Sequence, residues 1–304
     1  MKTHRFFTAL LIGSSCVSIC STALADTFGA DFKAKGGLEY DSNLNVTELD
    51  RVTEASDTAR VLDARLSGDF EPTDKLSFKA SYGYSEKDYR DHDGFDQIIQ
   101  TLSGDASYDF SLLTLGTSYH LADAELGSDP FLELTQRSLY AGKLVDGNIY
   151  LRAAANRKQK TFDNNPNRNA EADGVDADLF VFFNGANRFI SFGLIREDED
   201  ARADVFDHKA YGFRGRFSNR FVLLGKDSRV QLAWRHMRRD YANVDPQIGD
   251  RRQDIRRTAE ASWQLDLTSF LSAIGKLEYG NHESNLASAD YDEALASIML
   301  QATF

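Results

Sequence analysis

The sequence predicts an all-β protein, a transmembrane up-and-down antiparallel β-barrel of about 14 strands. Three observations carry that prediction. The chain ends on an unbroken alternation in which Ala294, Ala296, Ile298, Leu300, Ala302 and Phe304 share one face, while Ser297, Gln301 and Thr303 lie on the other. A repeat of two residues marks a strand with one apolar and one polar face. The same alternation recurs along the chain, in several segments of ten or more residues, where soluble strands usually run about five or six. The connections between these segments alternate long and short, as a chain crossing a bilayer repeatedly requires.

Taken in order, residues 1–25 read as a secretory signal peptide. Lys2, His4 and Arg5 precede the apolar run Phe6 to Ile12, and Ala23 and Ala25 form an Ala-x-Ala exit before Asp26. Both cysteines, Cys16 and Cys20, fall inside this segment. Lipidation of either would need a different approach, because Ile19 precedes Cys20 and Gly13 occupies the usually aliphatic position ahead of Cys16. From Asp26 onward there is no cysteine, which excludes disulfides and thiolate metal sites from the barrel, residues 26–304.

The first strand sets Phe28, Ala30, Phe32, Ala34, Gly36, Leu38 and Tyr40 against Asp31, Lys33, Lys35 and Glu39. A polar loop from Asp41 to Thr58 follows. Leu62, Ala64, Leu66, Gly68 and Phe70 then oppose Asp63, Arg65, Ser67 and Asp69, ahead of a turn at Glu71-Pro72-Thr73-Asp74. The third strand carries Leu76, Phe78, Ala80, Tyr82 and Tyr84, and the loop from Asp88 to Asp96 ends it. Leu102 to Phe110 and Leu113 to Leu121 repeat the pattern around a short turn. A loop with Gly127 and Pro130 leads into a less regular strand through Leu134 and Tyr140. Asp146-Gly147 is a hairpin signal before Ile149, Leu151, Ala153 and Ala155.

The Asn- and Asp-rich run from Thr161 to Gly174 reads as another long loop. Val175 to Phe183 and Ile190 to Leu194 flank the turn Asn184-Gly185-Ala186-Asn187. An acidic loop from Glu197 to Asp207 precedes Tyr211, Phe213, Gly215 and Phe217. Val230, Leu232 and Trp234 follow a turn near Gly225, and a loop with Pro246 and Gly249 leads to Ile255, Ala259, Ala261, Trp263 and Leu265. Leu271 to Tyr279, a loop from Asn281 to Asp290 and the terminal strand complete the series. Pro72, Pro130, Pro166 and Pro246 are all expected in connections, since proline cannot donate to a strand ladder.

No run approaches the roughly 18 continuous apolar residues of a helical span. Mean hydropathy is −0.43, which is compatible with a barrel because every second residue can face a polar lumen. Aromatics at apolar strand ends (Tyr40, Tyr84, Phe110, Phe217, Tyr279, Phe304) suggest interfacial girdles. A net charge of −12 argues against a nucleic-acid partner. The expected setting is the bacterial outer membrane, with its lipid bilayer as partner and both termini periplasmic. Leu300, Ala302 and Phe304 are expected to serve as the signal read by the β-barrel assembly machinery.

Asn187-Arg188-Phe189-Ile190 leading to Arg196-Glu197-Asp198, the stretch Trp234-Arg235-His236-Met237-Arg238-Arg239-Asp240-Tyr241, and Glu278-Tyr279 followed by Ser284-Asn285 and Tyr291 carry a more specific likeness. In them the chain resembles the C-terminal barrel domain of the surface lipoprotein assembly modifiers. The resemblance implies a 14-stranded barrel that passes lipoproteins to the cell surface. The chain departs from the family pattern by passing from Asp26 directly into its first strand, where family members carry a tetratricopeptide domain.

Strand parity points Arg214, Arg216, Arg235, Arg239, Arg252 and Arg256 into the lumen as a basic wall, and Asp63, Asp69, Asp105 and Asp109 as an acidic wall. Walls of opposite charge would impose a transverse field on passing solutes. An interior of salt-bridged residues that merely fills the barrel is the alternative. His282-Glu283-Ser284-Asn285 is similar to the His-x-Ser-Asn stretch of outer-membrane phospholipases. However, the expected partner position holds Ala296, and parity turns the pair away from lipid. The acidic run Glu197 to Asp200 and the stretch Asp41 to Asn45 lack a defined cation-ligand spacing. No phosphate-binding glycine loop or His-Glu-x-x-His motif is present, so no cofactor, metal or enzymatic activity is expected. The functions that follow are passage of a surface lipoprotein, passage of small polar solutes as a porin, or a purely structural barrel.

Overall fold

A computed structural model describes residues 28–184 and 187–304; the expected signal peptide and Gly185-Ala186 of one turn lie outside the described residues. The strands are β1 (Phe28–Asp41), β2 (Asn45–Val46), β3 (Arg51–Val52), β4 (Asp57–Thr73), β5 (Leu76–Tyr89), β6 (Gln97–Asp109), β7 (Thr114–Leu126) and β8 (Asp129–Val145). They continue as β9 (Ile149–Phe162), β10 (Ala170–Phe183), β11 (Arg188–Ala201), β12 (His208–Leu223), β13 (Lys226–Asp245), β14 (Asp250–Asp266), β15 (Leu271–Ser284) and β16 (Tyr291–Thr303). All but β2 and β3 form one closed antiparallel barrel of 14 strands, in which each strand pairs with its neighbours in sequence and β16 returns to β1. The short pair β2 and β3 forms a separate hairpin inside the first loop.

The alternation sorts side chains as the sequence predicts. Phe32, Leu38, Leu62, Leu66, Leu102, Leu139, Leu194, Leu232, Leu277 and Ile298 are exposed on the outside. A soluble protein would not tolerate an apolar band of this extent, and only a bilayer covers it. Toward the rim bearing the short turns, Phe70 stacks with Phe78 and Tyr108 packs against Phe110, with ring centroids 6.3 and 4.6 Å apart. Toward the other rim the outward residues become charged and pair across strands, as in Arg60–Asp88 at 2.7 Å, Arg157–Glu171 at 2.5 Å and Lys209–Asp198 at 3.6 Å.

This ring of external ion pairs explains where the strands outrun the expected boundaries. The polar outward positions of residues 197–201, 170–174 and 281–284 predict loops, yet these residues continue β11, β10 and β15 beyond the apolar band. Glu197 and Glu199 consequently lie on the lumen wall rather than in a loop. Two prolines also depart from expectation. Pro72 ends β4 where the register with β5 shifts between Phe70 and Thr73, and Pro130 lies in β8 beside a shift between Ala124 and Glu125. Bulges tolerate proline because the ladder is already interrupted there. The connection before β8 is therefore the tight turn Gly127-Ser128, and β8 is a full spanning strand whose outward residue is Leu139, with Tyr140 turned inward.

Closure is made by β1 and β16, in register from Lys33 opposite Thr303 to Asp41 opposite Leu295. The amide of Phe304 donates to the Phe32 carbonyl at 2.9 Å, and the Phe32 amide donates to the Phe304 carbonyl at 3.0 Å. The Phe304 ring stacks between Phe32 and Phe270, at 6.3 and 6.4 Å. Gly37 faces Met299 across this seam, where a Cβ would stand 2.7 Å from the Met299 Cα and overlap the Ile298 carbonyl.

The apolar core is not in mid-barrel. Leu44 and Val46 of the first loop pack inward against Ala59, Tyr89 and Phe95, with Leu49, Leu126 and Phe131 alongside. The first long loop thus folds into the barrel mouth instead of standing above it. Asp50 makes the reversal with a left-handed backbone, φ 53°, between a short 3-10 turn at Thr47–Leu49 and β3.

Deleting Phe304 removes the terminal backbone pair and the ring stack, so the fraction of chain showing heat-modifiable gel mobility is expected to fall sharply. Gly37→Ala is expected to cost about 1–3 kcal/mol by overpacking the seam, read as a lower midpoint of the heat-modifiable transition.

Candidate functional site: a charged lumen beneath an infolded loop

In barrel order, β12 to β14 lie opposite β5 to β7, so β6 faces β13 directly and β4 faces β11. The predicted basic residues project from the first set, in two tiers. Arg214 pairs in register with Arg235, and Arg216 lies one step nearer the short-turn rim, opposite Ala233. All three are exposed to the lumen. Arg239, Arg252 and Arg256 stand nearer the loop rim.

Arg214 grips Asp178 of β10, Nη2 donating to both carboxylate oxygens at 2.8 and 2.9 Å and Nε at 3.1 Å. Gly193, between them on β11, permits this, because a Cβ there would come within 2.7 Å of Arg214 Nε and overlap the Asp178 carboxylate. Arg216 and Arg235 have no carboxylate within 4.0 Å among the described residues.

On the opposite wall, Asp63 accepts the Ser85 hydroxyl at 2.6 Å and Asp105 accepts the Tyr140 hydroxyl at 3.0 Å. Asp69 lies over Gly29. Asp109 accepts the Ser111 amide at 2.7 Å, at the turn that ends β6. Arg65 and Lys79 line the same cavity of about 600 Å³ as Asp69 and Asp105, so this wall is mixed in sign rather than uniformly acidic.

Of the upper arginines, Arg252 holds the infolded loop. Arg252, 2 % exposed, donates from Nε and Nη2 to Asp254 at 2.8 Å each, and from Nη1 and Nη2 to Asp50 at 2.9 and 2.7 Å. Arg168, from the loop between β9 and β10, donates to Asp50 at 2.6 Å and to the Glu48 carbonyl at 3.0 Å. Lys160 of β9 stands 2.9 Å from Glu199 and 3.8 Å from Glu48. Arg256 is 3.9 Å from Asp254, which also accepts the Tyr241 hydroxyl at 3.3 Å. On the seam side, the Asn45 amide donates to Glu293 at 2.6 Å, and the Thr47 and Tyr291 hydroxyls meet at 3.0 Å. The loop leaves the wall at β1, crosses the mouth to β9 and β14, and returns to β4.

Burial alone would push the Asp50 carboxyl up, but the Arg252 and Arg168 guanidiniums outweigh it and hold the group at about 2 against an ordinary 3.8. Glu48 is likewise lowered: burial raises it, while Lys160, Arg239 and Arg256 pull it down further. A depressed carboxylate stabilises above its ordinary value, and that stabilisation is lost as pH falls through the depressed one. The loop is therefore latched throughout the neutral and mildly acidic range.

The His282 ring stacks on Tyr291 at 4.4 Å, with Nε2 3.4 Å from Glu293. The Ser284 hydroxyl donates instead to Asp254 at 2.8 Å. The two side chains lie on the lumen face and are engaged with different acids. Asp41 accepts the Tyr89 hydroxyl at 3.0 Å and the Asn43 amide at 2.9 Å, and Glu197 pairs with Lys158. Among the described residues, no group of three or more His, Cys, Asp or Glu is placed to hold a metal.

Sequence reasoning missed Asp50, Asp178 and Arg168, whose roles depend on partners far along the chain. It also missed an inward aromatic group, Tyr150, Phe180, Phe182 and Phe189. The signal was present, since the run Leu179 to Phe183 is apolar on both faces and breaks the alternation there.

No family model matches the chain, and no curated protein matches it. Solved structures do. OmpT of Vibrio cholerae, an outer-membrane protein in trimer form, superposes with a TM-score of 0.53 at 8 % identity, covering 92 % of this chain and 100 % of that one. Its loop L8 deletion mutant gives 0.51 with the same identity and coverage. CdiB from Acinetobacter baumannii gives 0.51 at 9 % identity, over 90 % of this chain and 60 % of that longer one. The chain thus has the fold of outer-membrane β-barrels.

Asp50→Asn leaves two guanidiniums without their shared carboxylate, and breaking such a buried pair costs about 3–5 kcal/mol. Faster hydrogen exchange across residues 44–53, with strand amides unchanged, is the expected outcome. In the wild type, protection of these amides is expected to hold from neutral pH down to the ordinary carboxylate range and to be lost toward pH 2; loss already at pH 5 would contradict the latch.

Proposed function

We propose that this barrel admits small polar solutes across the bacterial outer membrane, with the latched first loop as its constriction. One observation carries the reading: beneath the loop the lumen keeps water-exposed charges and cavities of about 600 and 700 Å³ rather than a packed core. A barrel serving only as a scaffold has no need to keep Arg216 and Arg235 without carboxylate partners. Lumen charges of this kind tune selectivity without closing the path. The short-turn rim, which carries Phe28 and Phe304, faces the periplasm in this reading. Leu300, Ala302 and Phe304 present the lipid-facing edge that the assembly machinery would engage. The barrel acts without cofactor and without catalysis.

The likeness of the stretches around residues 187–198, 234–241 and 278–291 to the surface lipoprotein assembly modifiers supports a second reading, delivery of a lipoprotein to the cell surface. Small-solute passage is preferred because the mouth is crossed by a loop fixed through Asp50, and because the seam pairs continuously from Lys33 to Asp41, leaving no lateral exit for a lipid-bearing chain.

Planar bilayers provide the test. The wild type is expected to give small, stable ohmic steps, and Asp50→Asn to give larger ones. Arg216→Ser with Arg235→Ser is expected to move the reversal potential toward cation preference. A silent bilayer together with a co-purifying surface lipoprotein would instead establish the second reading.

A further inference from the structure

The cavity of about 700 Å³ in the short-turn half of the lumen brings together two kinds of side chain that a simple aqueous pore does not require. Arg152, Arg214, Arg216 and Arg235 line it together with Phe180 and Phe189. Register explains how. One row across the wall runs Arg152, Asp178, Gly193, Arg214, Arg235, and the next row toward the rim runs Tyr150, Phe180, Ser191, Arg216, Ala233. A third row places Phe182 beside Phe189. Arg216 is therefore diagonal to Arg235 on one side and to Phe189 on the other, within reach for long side chains.

The aromatic group is continuous. Phe180 stands 6.1 Å from Tyr150, 6.3 Å from Phe182 with rings nearly parallel, and 6.5 Å from Phe189, while Phe182 and Phe189 are 6.2 Å apart. These rings are only half-buried and face the lumen. Apolar surface left in that position gains by being covered.

The acids of the cavity are already engaged. Asp178 is held by Arg214, and Glu260 and Glu278 share Lys276 at 3.1 and 2.8 Å. The unmatched groups are the guanidiniums of Arg216 and Arg235, and the like-charged neighbours Arg214 and Arg235 lie directly opposite each other, an arrangement that an anion between them would relieve.

Resting on the solute-passage reading, we infer that this cavity is a binding site for small aromatic carboxylates. The ring lies against Phe180 and Phe189, and the carboxylate accepts hydrogen bonds from Arg216 and Arg235. Planar carboxylates suit the guanidinium fork, and flat rings suit the aromatic floor. A small hydrophilic anion would use only the first half of the site, and a neutral aromatic amide only the second.

Isothermal titration of the purified full-length barrel in detergent, with benzoate as probe and acetate and benzamide as comparators, tests this. Benzoate is expected to bind, with acetate and benzamide each weaker by about tenfold or more. Arg216→Ser, Arg235→Ser and Phe180→Leu are each expected to weaken benzoate about tenfold while keeping heat-modifiable mobility, which shows that the barrel is intact. Equal affinity for benzoate and acetate, or unchanged benzoate affinity in these variants, overturns the site. Ohmic conductance without benzoate binding would sink the site and leave the pore. Benzoate binding with a silent bilayer would sink the pore and leave the site.

Discussion

Everything in this molecule depends on the requirement that each backbone amide and carbonyl in the bilayer find a partner within the chain. A sheet meets that requirement only if it has no edge, so β1 must meet β16 although they lie at opposite ends of the described sequence. The reciprocal amide–carbonyl pair between Phe32 and Phe304 completes the ladder at the rim where both ends emerge. Fourteen strands, an even number, follow from returning the last strand antiparallel to the first. The apolar exterior and the polar interior are consequences of that closure.

Closure also inverts the usual distribution of residues. With apolar side chains turned to lipid, the interior is left to charged groups, and the small apolar core sits at the mouth, beneath the first loop. Burying Arg252 and Asp254 at 2 % exposure each costs desolvation, which their pairing with each other and with Asp50 offsets. Such a cluster contributes less to net stability than to fixing one loop position, because breaking any member leaves another charge buried alone. Below the cluster the charges are more exposed, and Arg216 and Arg235 have no carboxylate within 4.0 Å among the described residues.

Alternation made the exterior legible strand by strand, from Phe28 to Phe304. It failed where its physical cause ends. Beyond the hydrocarbon, outward positions such as Asp198 and Glu171 are no longer required to be apolar, so β10, β11 and β15 continue unseen. Pro72 and Pro130 argued for turns but mark bulges, since a ladder already out of register loses nothing further to proline. The aromatic run Leu179 to Phe183 broke the pattern visibly, but only the pairing of β10 with β9 and β11 gathers Phe180, Phe189 and Tyr150 beside Arg216.

The sequence by itself determined that this chain is a membrane-spanning barrel, because a period of two is a local property, carried by neighbouring residues and readable wherever it occurs. The tertiary structure alone decided which charges meet. Asp50 and Arg252 are separated by 202 positions, and nothing local to either shows that one loop turns inward to reach the far wall. Such pairings are set by the closed register of the whole sheet, which no single segment encodes.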